Sequence, residues 1–158
     1  MYFVTSRTID GKRLFNTNQK MEIVIDRLRK SIIKYGINLY GWVVLMNHYH
    51  ILFSLPRGKL LSSLTGFING GSAHELNRLD GVKGRNIWWN YWDNCIRGEK
   101  DFYTRLNYIH HNPVKHGYVK ANREYPYSSY NWYREKFGVE YINDLEMSYP
   151  VIDFTDKN

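Results

Sequence analysis

Apolar residues recur along the chain with two different periods. Tyr2-Phe3-Val4-Thr5-Ser6 alternates weakly in β-forming residues and predicts a first strand, beginning almost at residue 1 with no leader before it. Val24, Leu28, Ile32 and Tyr35 then repeat at helical spacing, with Glu22, Asp26, Arg29 and Lys30 on the other side. Asn16-Thr17-Asn18 offers N-cap side chains and Gly36 a C′ residue, so the helix is predicted over 19–35. Two strands follow at 39–45 and 48–55, joined by a tight turn at Met46-Asn47, as the centre of an antiparallel sheet. Beyond Pro56-Arg57-Gly58, helical spacing returns through Leu64, Phe67 and Ile68 and again through Ala73, Leu76 and Leu79. Gly70-Gly71 predicts a bend or a junction between two helices. Ile87-Trp88-Trp89-Asn90-Tyr91-Trp92 predicts an aromatic strand ending near Ile96. A helix over 99–112 buries Phe102, Leu106 and Ile109. It carries Tyr108 and Asn112 together on its polar side, and Pro113 is expected to stop it. The tail is aromatic, then acidic, and reads as a wrap-around segment that frays after about Asp153.

Composition adds a partner class. The 158 residues are expected to form one main domain over 1–130, with 131–158 as a C-terminal wrap-around tail. No apolar run is long enough for a membrane span and no signal-peptide pattern opens the chain, so it reads as soluble and cytoplasmic. The single Cys95 excludes an internal disulfide and a multi-cysteine zinc site. A net charge of +7 with 16% aromatic residues favours a nucleic-acid partner, since basic charge attracts phosphates and rings stack on bases.

Candidate chemistry lies in two stretches. In Asn47-His48-Tyr49-His50 the two histidines are two apart, so on a strand both imidazoles face one side and form half of a divalent-metal site. In Tyr108-Ile109-His110-His111-Asn112-Pro113-Val114 the amide of Asn112 can add an oxygen, and Tyr108 can present its phenol one turn earlier. A phenol has an ordinary pKa near 10 and needs help to act as a nucleophile. Attack by tyrosine stores the phosphodiester as a protein–DNA ester, which suits strand transfer better than digestion. Trp88, Trp92, Arg85, Arg105, Lys115 and Lys120 are the candidate DNA contacts. His110, His111 and His116 are left as structural or phosphate-facing residues, with His111 near enough to Tyr108 to serve as a base.

These stretches, with Tyr2-Phe3-Val4-Thr5-Ser6-Arg7, resemble the REP-associated tyrosine transposases, single-tyrosine members of the HUH endonuclease superfamily. The resemblance runs from about Tyr2 to Tyr130. It implies an α+β, ferredoxin-like antiparallel sheet with helices packed on it, the His-x-His on a central strand and the nucleophile on a later helix. It implies Mg²⁺- or Mn²⁺-dependent nicking and rejoining of single-stranded DNA at or near hairpins. The expected assembly is a monomer or a homodimer. By position, His48 and His50 become metal ligands, Asn112 the third ligand and Tyr108 the nucleophile, forming a 5′-phosphotyrosine. The family usually has Pro where Met46 stands, Gln at Trp89 and His near Asn94. Two other readings are a hairpin-binding protein without catalysis and a metal-dependent nuclease that uses water.

Overall fold

The computed structural model describes residues 1–152 and 154. Expected fraying after Asp153 therefore lies almost wholly outside the described residues. β1 (Tyr2–Thr8), α1 (Asn18–Tyr35), β2 (Asn38–Val44), β3 (His48–Ser54), α2 (Leu61–Asp80) and β4 (Trp88–Cys95) follow in order, then α3 (Glu99–Lys115), α4 (Tyr130–Phe137) and α5 (Val139–Ser148). The strands form one antiparallel sheet in the order β2-β3-β1-β4. The result is the α+β, ferredoxin-like architecture, with the His-x-His on an inner strand.

Local signals account for α1. Thr17 accepts from the Lys20 backbone N–H at 3.3 Å, and Gly36, at φ 65°, donates its N–H back to Ile32 at 2.9 Å. Its buried stripe is Met21, Val24, Ile25, Leu28 and Ser31; Ile32 is rotated outward. α2 packs beside α1 and continues unbroken through Gly70-Gly71, where a bend was expected. The physical reason lies at Gly71, where a Cβ would stand 2.6 Å from the Arg27 guanidinium carbon of α1. The glycine admits a crossing side chain, and the helix keeps its own hydrogen bonds.

Three residues at the β2–β3 turn are pinned from several sides. The Leu45 N–H donates to His48 O at 2.8 Å, Met46 O accepts from the Phe15 N–H at 2.9 Å, and Asn47 O accepts from the Thr8 N–H at 2.8 Å. β3 leaves this turn with six successive residues buried, because helices cover both sheet faces. Tyr49 points to the α2 side, where its hydroxyl donates to Asn69 at 2.8 Å.

α3 covers the other face. Its expected stop at Pro113 is corrected: the helix runs on to Lys115. Proline removes only its own N–H bond from the ladder; the His116 N–H still donates to Asn112 O at 3.1 Å, and the Pro113 carbonyl accepts from the Tyr118 N–H at 2.9 Å. The assignment of Tyr108 to a polar outer side is also corrected, for it is 3% exposed. That side of α3 turns onto the sheet, while the C-terminal helices cover the neighbouring flank: Asn107 Nδ2 donates to the Leu145 and Tyr149 carbonyls at 2.8 Å each. The strand edge of β2 is closed by the chain before α4, where Val44 N–H donates to Tyr127 O and Ser129 N–H to Trp42 O, both at 2.9 Å. No helix among the described residues is long and apolar enough to cross a membrane.

Candidate active site

His48 and His50 project from β3 toward α3, where Asn112 meets both. His48 Nε2 lies 3.1 Å from Asn112 Oδ1, and Asn112 Nδ2 lies 3.3 Å from His50 Nε2. The two imidazole centroids are 5.0 Å apart. Each ring is anchored through its other nitrogen. His48 Nδ1 is 2.7 Å from Asn47 Oδ1, and His50 Nδ1 is 2.7 Å from Thr5 Oγ1. Thr5 reaches His50 because the β1–β3 register sets them opposite each other.

Both rings are neutral near pH 7. Burial, then the adjacent His116, brings His48 down to about 4. Burial, then His48, holds His50 well below the ordinary imidazole range. A neutral imidazole has one proton, yet both nitrogens of His48 face amide oxygens. Asn47 donates its own Nδ2 to Gly11 O at 3.1 Å, which fixes its Oδ1 toward His48. The proton therefore belongs on His48 Nδ1, in the shorter contact, and the Nε2 lone pair faces Asn112 Oδ1. Lone pair against lone pair at 3.1 Å is an arrangement that a cation between them relieves. The donor set of two imidazole nitrogens and one amide oxygen fits a divalent ion of Mg²⁺ or Mn²⁺ type. Among the described residues no cluster of three His, Cys, Asp or Glu side chains forms, so the third donor here is an amide.

Tyr108, one turn before Asn112, sets its ring 5.2 Å from the His50 ring. Phe154 meets it edge-on at 5.2 Å, and the Lys115 ammonium lies 5.1 Å from its centroid. His116, left ambiguous by the sequence, packs its ring 4.9 Å from His48. His110 instead turns away to Ser129 Oγ at 3.0 Å, where burial holds it near 3. His111 is half-buried on α3. Tyr103, the rival nucleophile, stacks on Tyr149 at 4.9 Å, toward the C-terminal segment.

The candidate DNA contacts are scattered. Lys115 and Arg105 lie at this site, but Arg105 is paired with Asp101 at 2.8 Å and lies 4.9 Å over the Phe3 ring. Arg85 pairs with Asp80 at 2.7 Å in the loop after α2. Lys120 lies in the exposed turn beyond α3. Trp88 faces the α2 side, stacked on Phe15 at 5.1 Å and donating its indole N–H to Ser72 at 2.9 Å. Trp92, 44% exposed, stands on the histidine side, and so does Trp89, 65% exposed, which sequence reasoning left out. Thr5 and Asn47 were missed as well. Asn47 adjoins His48 in the chain, but the role of Thr5 needs the strand register.

No family model matches the chain. Over 110 residues it is 36% identical to the REP-associated tyrosine transposase of Escherichia coli K12, an alignment covering 66% of this chain and 63% of that protein. It is 31% identical over 141 residues to a Haemophilus influenzae protein described as belonging to the same group, covering 83% of this chain and 80% of that one. A solved structure of the REP-associated tyrosine transposase bound to a REP hairpin superposes with a TM-score of 0.72 at 28% identity, covering 85% of this chain and 79% of that one. The match to the first relative thus spans just under two thirds of its length.

Proposed function

The chain belongs to the REP-associated tyrosine transposases, and on that premise we propose that it binds hairpin-bearing single-stranded DNA and nicks and rejoins it through Tyr108. The observation that carries the reading is the meeting of Tyr108, Asn112, His48 and His50 where α3 crosses β3. The hairpin in the solved relative supports the DNA class. In this reading residues 1–130 form the DNA-processing unit, 131–158 are its C-terminal tail, in which Leu145 and Tyr149 buttress α3, and the protein works in the cytoplasm.

His48 Nε2, His50 Nε2 and Asn112 Oδ1 would hold Mg²⁺ or Mn²⁺, which supplies neutralisation of the charge that builds on a phosphate in transfer. The chain's own residues do the rest. Asn47 and Thr5 keep the two imidazoles in the tautomers that leave Nε2 unprotonated. The Tyr108 phenol loses its proton and its oxygen bonds to phosphorus. The P–O3′ bond breaks, and the departing oxygen takes a proton as a free 3′-hydroxyl. The 5′-phosphotyrosine left behind keeps the bond energy, so a 3′-hydroxyl can reverse the step without a nucleotide. Lys115, beside the Tyr108 ring, adds positive charge where the phosphate must lie. Because Tyr108 is 3% exposed, the strand must displace the side chains above it.

Denaturing electrophoresis with DNA labelled 3′ of the cut tests this. The native protein in Mn²⁺ should yield a covalent adduct that maps to Tyr108, and Tyr108→Phe should bind hairpin DNA and form none. An adduct on another tyrosine, or full cleavage by Tyr108→Phe, overturns the assignment. Hairpin binding with no adduct from the native protein would make it a binding protein instead.

A further inference from the structure

The site leaves unexplained the cleft beside it. Arg7, Thr8, Asp10, Gly11, Trp89 and Trp92 line a hollow of about 500 Å³ between β1, the turn after it and the outer strand β4. That size falls within the roughly 300–1,000 Å³ of small-ligand sites. It opens on the histidine face of the sheet. Arg7 is the register partner of His48, and Thr5 pairs with His50 on one side and Trp92 on the other. Trp92 is therefore two strands from His50, roughly 10 Å by strand spacing.

The lining is unusual for a surface. Trp89 is 65% and Trp92 44% exposed, large indoles that share one cleft on an outer strand. Arg7 is exposed, and no ion pair among the described residues holds it. Its guanidinium lies over Gly11, where a Cβ would come within 2.6 Å of it. Gly11, at φ 63°, also needs the left-handed conformation that glycine tolerates. Asp10 at the rim is paired with Lys12 at 3.2 Å, so the anion-binding end of the cleft is the Arg7 end. Flat apolar faces with one guanidinium beside them match a nucleobase and its phosphate.

Resting on the function proposed above, we propose that this cleft seats one unpaired base of the strand to be cut. The base stacks on Trp89 and Trp92, and its phosphate lies at Arg7. Paired bases are excluded because both ring faces are already stacked within the duplex. The cleft thus selects the unpaired flank of a hairpin and sets its register against His48 and Tyr108.

The test uses the full chain and three labelled hairpin probes: one with a short unpaired flank, one with the same flank abasic, and one blunt. The native protein should bind the base-bearing flank about five- to a hundredfold more tightly than the abasic one. Trp89→Ala and Trp92→Ala should remove most of that gain, and Trp→Phe at either position should retain it. Arg7→Gln should weaken both flanked probes and spare the blunt one. A gain that survives the double alanine variant overturns the proposal, as does an equal loss on all three probes. Sedimentation showing self-association that disappears with the indoles would assign the cleft to a second copy and overturn it too. Hairpin binding that persists unchanged through these failures leaves the function reading standing; a native protein that binds no probe removes both.

Discussion

His48 shows how much one tautomer decides. Its Nδ1 contact with Asn47 and its 3.1 Å approach to Asn112 make Nε2 a lone-pair donor, and Thr5 does the matching service for His50. Groups that orient a ligating histidine typically contribute 10–100-fold to metal affinity. Asn47→Ala and Thr5→Val should each weaken Mn²⁺ binding about tenfold or more in a titration followed by electron paramagnetic resonance, with the fold intact by circular dichroism. Mn²⁺ should bind more tightly than Mg²⁺, because imidazole favours the softer ion. Unchanged Mn²⁺ affinity in both variants would remove the orienting role. The pairing of the side chains was legible in the sequence, since spacing alone puts His48 beside His50 and Tyr108 above Asn112. Their anchors were not, because Asn47 acts through a bond to Gly11 and Thr5 through cross-strand register.

Between elements, tyrosines do the joining. Tyr125 donates its hydroxyl to the Val44 carbonyl at 2.8 Å and Tyr133 to the Tyr40 carbonyl at 2.6 Å, tying the chain around α4 to β2. Burial pushes Tyr133 up to about 12 and raises Tyr125 as well. An unfolded phenol titrates near 10. Above that the unfolded chain loses protons that the folded one keeps, so this stability is whole below about pH 10 and drains away as pH rises toward about 12. Urea unfolding at about pH 8 and about pH 11 should show the native protein losing stability across that interval. Tyr133→Phe should begin about 1 kcal/mol lower, having lost one buried hydrogen bond, and fall less steeply. An unchanged pH slope in Tyr133→Phe would deny the clamp. Such joints explain what sequence reading reached. α1 was legible at both ends through Thr17 and Gly36, and the β2–β3 hairpin through its turn. The unbroken course of α2 was not, because the space at Gly71 is filled by Arg27 from another helix. Nor was the burial of Tyr108, which depends on what α3 and the C-terminal helices cover.

For the whole molecule, a net charge of +7 says that a polyanion is attracted, and the ion pairs say where. Arg85 and Arg105 read equally well as DNA contacts in the sequence, but each is bound to a carboxylate in the fold, Asp80 and Asp101. A cation already neutralised by its own protein releases few counterions when DNA arrives. Arg7 lies on the histidine face instead, near enough to His48 to act on its charge. Hairpin affinity should therefore fall steeply with salt, as a log–log slope set by the phosphates neutralised. Arg7→Gln should make that slope shallower by about 1 while weakening binding of a hairpin with an unpaired flank. Arg85→Gln and Arg105→Gln should leave it nearly unchanged, although each removes the same formal charge. Anisotropy titrations of one hairpin probe across a salt series separate local contact from net charge. If all three variants shift the slope equally, the protein attracts DNA only as a diffuse cation, and the histidine face has no special claim on the phosphates.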